Sequence, residues 1–321
     1  MLLSILGISF LILIHEAGHF LAARAAGVNV PEFSLGFGRI LASKEYRGSL
    51  FCLRMIPIGG YIKADALHDR SPLTRILVGL AGPAANFLFA ALAFMLISGV
   101  GIPHLTNKIG QVVPGYPAKA AGLLPGDRVV AVDDQLVEAW PDMTALVDRG
   151  QSRNVKLTIQ RGANRFNVNV RPEIKDGRGV IGVIAGETAY TRYGLQSIPK
   201  GLALTTDTVR TSAGAFFRAL WLHNNRVMGP VGIVKAGAAQ ATLGWVALLY
   251  FLAILSANLV TFNLLPIPAL DGGSILLALW EIVSKRPVPG RVQRVLTAVS
   301  VGLIIALLLH SVLNDVVKLS R

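Results

Sequence analysis

Four stretches of the chain, residues 2–26, 75–99, 243–265 and 292–313, are almost unbroken in their apolar character. A helix needs about 20 residues to cross the hydrocarbon layer of a bilayer, so the pattern predicts four transmembrane helices. The intervening positions follow other periods. Residues 48–65, GSLFCLRMIPIGGYIKAD, alternate imperfectly about Gly59-Gly60 and predict a β-hairpin turning there. Open strand edges are tolerated at membrane depth only against protein or a water-filled cavity, so a membrane-reentrant hairpin would line something. Between about residues 107 and 186, β-rich runs such as VKLTIQR and RFNVNVRP are separated by Pro114-Gly115, Pro125-Gly126 and Arg161-Gly162, the signature of a small soluble domain. Residues 197–222 then place Ile198, Leu202, Val209, Ala213, Phe216, Phe217, Leu220 and Trp221 near one helical face. Such a helix is expected to pack on its own domain or lie on the membrane surface.

Composition agrees with a membrane protein: 53% of the residues are hydrophobic and 15% charged, with a mean hydropathy of +0.56, too apolar for an ordinary soluble domain. A cleaved signal peptide is a weaker reading of the first run. No Lys or Arg precedes it, and cleavage at AARAA would discard the ionisable cluster it carries. Arg24, Arg39, Lys44, Arg47, Arg54, Lys63, Arg70 and Arg75 lie in or beside the segment joining the first two runs, which places that segment in the cytoplasm. Lys285, Arg286, Arg291 and Arg294 put the turn between the last two on the same side. Both termini and the middle domain then face outward. The net charge of +13 is spread over both faces without a concentrated basic run, so a nucleic-acid partner is not expected. Cys52, the single cysteine, cannot form an internal disulfide.

The first run contains His15-Glu16-Ala17-Gly18-His19, an H-E-x-x-H pattern. Spacing of four puts both imidazoles on one helix face, where they can share a Zn²⁺, with Glu16 nearby as a base for water. Ionisable groups in a transmembrane run usually mark a functional cavity rather than a solvated face. A catalytic zinc commonly takes three protein ligands. Asp271, at the inner end of the third run, reaches the same depth as His15 and His19. His68, assigned to the cytoplasmic loop, and His104, His223 and His310, assigned to the outer side, compete less well. Pro266 and Pro268 break the helix just before Asp271, as suits backbone beside a cavity. Asn258 and Asn263 are further polar groups in that run, and Asn86 in the second run either faces the site or packs between helices.

With these residues in view, IHEAGHF, FSLGFGRI, PIGGYIKA, AGPAANFLFA, GPVGIVKAG and SANLVTFNLLPIPALDGG, in this order, resemble the site-2 proteases. These are intramembrane zinc metalloproteases, and the likeness is to the bacterial regulator-of-sigma-E type. Residues within IGQVVPGYPAKAAGLLPGDRVVAVDDQLV resemble a bacterial PDZ domain. The resemblance implies a multi-span α-helical membrane protein with four transmembrane helices, a membrane-reentrant β-hairpin and one inserted α+β PDZ domain. The corresponding divisions are a membrane half over 1–100, the PDZ domain over 101–186, an amphipathic helix and linker over 187–241, and a second membrane half over 242–321. It makes His15, His19 and Asp271 the zinc ligands and Glu16 the catalytic acid/base. It associates Gly36, Phe37 and Gly38, with Gly59 and Gly60, with the reentrant element that engages substrate, and Asn258, Asn263, Pro266 and Pro268 with substrate handling. The implied substrate is a transmembrane protein, a single-span anti-sigma factor or a signal-peptide remnant. The implied location is a bacterial cytoplasmic membrane, with membrane lipid around the spans and a peptide C-terminus as a further partner at the PDZ groove. An intramembrane metal carrier and a non-catalytic PDZ scaffold are the competing classes. A Glu placed for acid/base work and the absence of an internal repeat speak against the first, and an intact His-Glu-His-Asp set against the second.

Overall fold

The computed structural model describes residues 1–151, 153–175, 177–222 and 229–319. Two compact units divide the chain, one formed by Met1–Ile97 with Leu195–Arg321, the other by Ser98–Gly194.

In the first unit α1 (Leu2–Ala25) leads into the long antiparallel pair β1 (Glu32–Tyr46) and β2 (Ser49–Lys63), a short 3-10 turn at Leu67–Asp69, and α2 (Pro72–Val100). The hairpin turn lies at Arg47 and Gly48, both at positive φ (48° and 74°), whereas Gly59 and Gly60 lie inside β2. The expected turn at Gly59-Gly60 is thus corrected. Gly59, at φ 99°, bends a strand instead of closing a hairpin. The strands bend enough that residues 32–35 are flanked by residues 50–53 on one side and 60–63 on the other. Phe20 of α1 meets Phe33 and Phe51 at ring separations of 5.6 and 5.5 Å, which fixes this small sheet against the helix.

Among the described residues, the later part of the first unit holds the helices α5 (Ser197–Leu222), α6 (Pro230–Thr242), α7 (Trp245–Asn263), α8 (Asp271–Ser284) and α9 (Gly290–Leu319). Leu2–Ala25, Pro72–Val100, Trp245–Asn263 and Gly290–Val312 are long and apolar enough to cross a membrane. Their exposed faces, such as Leu88, Leu92 and Leu96 on α2 or Val299, Leu303 and Leu307 on α9, are large and aliphatic, as contact with lipid requires. Between α7 and α9 there is a helix of 14 residues where a short turn was expected. Asp271 is its first residue, not the end of the preceding span. The apolar stripe of α5 also finds a different partner from the two expected. It packs on membrane helices: Phe216 meets Phe262 of α7 edge-on at 5.9 Å, and a Cβ on Gly201 would stand 2.6 Å from the Met95 nitrogen of α2.

The second unit is mixed. In chain order it holds β3 (Ile102–Leu105), β4 (Ile109–Val112), α3 (Pro117–Ala120), β5 (Arg128–Val132), β6 (Gln135–Leu136) and α4 (Trp140–Arg149). There follow β7 (Val155–Arg161), β8 (Asn164–Val170), β9 (Glu173–Lys175), β10 (Arg178–Val180), β11 (Val183–Ala185) and β12 (Thr188–Thr191). A four-stranded sheet runs β6-β5-β7-β8, while β3 pairs with β12 and β4 with β11. Ile109, Leu123, Val129, Met143, Leu157 and Ile159 form its core. Asp127, almost wholly buried, is held by both arms of Arg161 at 2.7 and 2.8 Å and by the Leu124 amide. Burial alone would raise its pKa, but these charged and backbone donors outweigh that and hold it below the usual carboxylate value.

Candidate metal centre

His15 and His19 stand one helical turn apart on α1, with their Nε2 atoms 3.1 Å from each other. Asp271 completes a triangle: Oδ2 is 3.1 Å from His15 Nε2 and Oδ1 is 3.3 Å from His19 Nε2. Each of the three residues offers a ligand atom within 4.8 Å of the others. Buried Asp271 Oδ2 has no hydrogen-bond donor in proper alignment among the described residues, despite the closeness of His15. Three ligand-type atoms this close, one of them without a donor, are arranged as ligands about a common centre. A tetrahedral zinc with bonds of about 2.0–2.1 Å has ligand-to-ligand edges of about 3.3 Å, and the observed separations fall near that value. Two imidazoles and a carboxylate also leave the fourth position free, as catalytic zinc sites do. The residues present therefore fit a zinc ion.

Local sequence brings these groups together. Gly18 lets α1 touch α2, since a Cβ there would lie 2.3 Å from the Ala81 carbonyl oxygen. Gly82 makes room for the imidazoles, because its Cβ would lie 2.3 Å from His19 Nε2 and 2.8 Å from His15 Cε1. The Val78 carbonyl of α2 accepts a hydrogen bond from His19 Nδ1 at 2.7 Å, which leaves Nε2 with its lone pair. After α7, Pro266 and Pro268 turn the chain, and Gly272 and Gly273 permit it to fold back. Cβ atoms on these two glycines would approach the carbonyl oxygens of Leu265 and Ile267 to 2.3 and 2.2 Å. That return delivers Asp271 to the histidines.

Glu16 lines a cavity of about 400 Å³ with His15, His19 and Asp271. Gly60 of β2 forms part of the same wall, and a Cβ on it would sit 3.1 Å from Glu16 Cγ. Tyr61, also in that wall, stacks on Phe37 (ring centroids 6.3 Å, interplanar 22°), and a Cβ on Gly59 would meet the Phe37 ring at 2.2 Å. Gly59 and Phe37 thus back the cavity through Tyr61. Gly36 and Gly38, at φ 88° and 87°, bend β1 on either side of Phe37. Glu32 anchors this end of the sheet by accepting from Arg54 (2.7 Å), Tyr61 (2.6 Å) and Lys63 (2.6 Å). The bonds from Lys63, Tyr61 and Arg54 together lower its pKa to about 2.

The asparagines part company. Asn263 places its amide nitrogen 3.5 Å from His15 Nε2. Asn258 is hydrogen-bonded to Ser212 of α5, away from the ligand triangle. Asn86 is fully buried with its amide 3.3 Å from His15 Nδ1. His68, expected in a loop apart from the site, lines the cavity, as do Arg75 and Gln293. Nothing in the sequence ties these three to the motif, because their approach depends on how the 3-10 turn, α2 and α9 pack. His223 lies outside the described residues.

A membrane chain with this donor set beside a glutamate has the makings of a metalloprotease. The chain matches peptidase family M50 over residues 3–307 and belongs to it, the family of the site-2 proteases. It is similar to the chloroplastic membrane metalloprotease ARASP of Arabidopsis thaliana, with 33% identity covering 96% of this chain and 77% of that protein. A Rickettsia conorii protein provisionally named a zinc metalloprotease is 32% identical over 99% of both chains. Metalloprotease MmpA of Caulobacter vibrioides is 29% identical over 98% of this chain and 95% of its own. Among solved structures, the PDZ domain of an SdrC-like protein from Listeria innocua aligns with 26% of this chain and 94% of its own, at 19% identity and a TM-score of 0.24. The protein is a zinc metalloprotease of a membrane.

Proposed function

We propose that this chain hydrolyses peptide bonds inside the transmembrane segments of other membrane proteins, with His15, His19 and Asp271 as zinc ligands and Glu16 as the proton carrier. The observation that carries the reading is that two histidines and Glu16, on a helix apolar enough to cross a bilayer, meet the carboxylate of Asp271 at one cavity. Zinc supplies Lewis acidity and makes water a usable nucleophile near neutral pH. Glu16 would take a proton from the attacking water and return it to the leaving amine. The Val78 carbonyl holds His19 in its ligating tautomer.

A substrate helix hides its carbonyls in its own hydrogen bonds, so it must unwind locally to be cut. In this reading β1 and β2 form the membrane-reentrant element. The strand through Gly60, which runs beside Glu16, offers replacement backbone partners to the opened segment, while Asn263 would act beside His15 and Pro266 and Pro268 through the turn that delivers Asp271. Asn258 would act at one remove, through α5. Single-span anti-sigma factors and signal-peptide remnants are the substrates the family resemblance favours. The chain would sit in a bacterial cytoplasmic membrane with the cluster toward the cytoplasm and the second unit outside. That unit would act as a PDZ domain. Its cavity of about 580 Å³, lined by Tyr116, Trp140, Met143 and Val180 among others, is roomy enough for the side chains of a peptide C-terminus.

Zinc per purified chain tests the metal reading, with about one expected in the wild type, loss in His19→Ala and depletion in Asp271→Ala. Full zinc in Asp271→Ala removes the third ligand. For the substrate, a single-span helix carrying Gly, Pro or Asn near the cut should be cleaved faster than a matched Leu-rich helix. Equal rates would refute the unwinding step.

A further inference from the structure

We propose that Asn86 is a positioning residue for the metal centre: its side-chain oxygen accepts the Nδ1 proton of His15 and so presents the Nε2 lone pair to the metal. This rests on the zinc site proposed above and concerns a residue outside the ligand set.

The argument begins with the tautomer. An imidazole that ligates through Nε2 carries its proton on Nδ1, and a buried N–H needs an acceptor. For His19 that acceptor is the Val78 carbonyl, 2.7 Å away. For His15 the group at Nδ1 is the Asn86 amide, at 3.3 Å. An NH₂ group cannot accept, so a ligating His15 requires the amide to present its oxygen. A half-turn about the Cβ–Cγ bond does so, since amide nitrogen and oxygen are nearly isosteric. The same half-turn resolves a second observation. Asn86 Oδ1 is buried with no hydrogen-bond partner among the described residues, and a buried orphan acceptor carries a desolvation penalty. One rotation gives His15 its acceptor and the oxygen its donor, and moves the NH₂ group into the place the oxygen held.

Asn86 is itself well held. Its side chain is fully buried, and its backbone carbonyl accepts a 2.9 Å hydrogen bond from Ser256 of α7. The second hydrogen bond at each histidine therefore comes from α2, one from a main-chain carbonyl and one from a side chain. Only the latter can be removed by substitution.

The test is zinc affinity by chelator competition on the full-length protein in detergent, with the absorption spectrum of the Co²⁺-substituted protein as a readout of ligand geometry. Asn86→Ala should bind zinc about 10–100-fold more weakly and alter the cobalt bands, while Asn86→Asp, whose carboxylate still accepts from Nδ1, should restore both. Ser256→Ala removes the helix–helix hydrogen bond to the Asn86 main chain without touching its amide, and should leave zinc affinity near wild type. Wild-type affinity in Asn86→Ala overturns the proposal. So does an equal loss in Ser256→Ala, or a failure of Asn86→Asp to rescue, since both indicate a packing role. Absence of zinc from the folded wild type overturns the metal site itself, and this proposal with it.

Discussion

Gly82→Ala separates two effects that usually travel together. In an exposed helix interior, Gly to Ala gains about 1 kcal/mol of helical stability, so α2 considered alone predicts a more stable protein. At this position the new methyl carbon would lie 2.3 Å from His19 Nε2, 2.7 Å from His19 Cε1 and 2.8 Å from His15 Cε1. Carbon atoms in contact sit about 3.5–4.0 Å apart, so the imidazoles must retreat by about 1 Å. Both rings are side-chain ends and can swing, which spares the apo fold. Ligation is less forgiving, because a site displaced by more than about 0.5 Å loses productive geometry. The expectation is a thermal midpoint for the metal-free protein equal to or above wild type, with zinc affinity down by at least about 10–100-fold and proteolysis lost. Chelator competition and apo-state melting in the same detergent measure the two halves. A Gly82→Ala protein that binds zinc like the wild type would refute the packing argument. Gly79→Ala is the milder counterpart in the same cavity wall: its Cβ meets the Ile275 side chain at 3.0 Å and the Asp271 carbonyl oxygen only at an ordinary contact distance of 3.9 Å, and should leave zinc in place.

Glu16→Gln keeps the shape of the cavity and removes the proton carrier. It should retain about one zinc per chain while cleavage falls by about 100-fold or more, read by metal analysis beside a gel-based cleavage assay; undiminished cleavage would exclude Glu16 as the acid/base. Glu32, whose pKa is lowered from 4.5 to about 2, contributes stability that is fully present above pH 4.5 and lost as pH falls toward 2. At 1.36 kcal/mol per unit the full shift corresponds to about 3 kcal/mol, and the solvent-exposed Lys63 partner, 58% accessible, reduces it to about 1–2 kcal/mol. Melting of wild type and Glu32→Gln from pH 6 to 3 should show the wild-type advantage shrinking with acid; parallel curves would count against the ion cluster.

The sequence alone determined the elements with strong periodicity and the chemistry within one element. Four apolar runs became four candidate membrane helices to within a few residues, since a run of that length has few other ways to satisfy its backbone and bury its side chains. His15 and His19 face one way because α-helical periodicity requires it. What needed three dimensions was every relation between elements. The hairpin turns at Arg47-Gly48 and not at Gly59-Gly60, because β2 bends around α1 and a glycine pair suits a bend as well as a turn. Asp271 starts a separate helix, and its meeting with the histidines depends on Gly272 and Gly273 allowing the chain to fold back against Leu265 and Ile267. Asn86 stood out in the sequence only as a polar residue in an apolar run, with its place at the site or between helices left open, and His68 and Arg75 carry no local signal of their neighbours. Only the close crossing of α1 and α2 at Gly18 and Gly82 sets Asn86 against His15, because side-chain contact across helices is decided by the interhelical distance, which no single helix specifies.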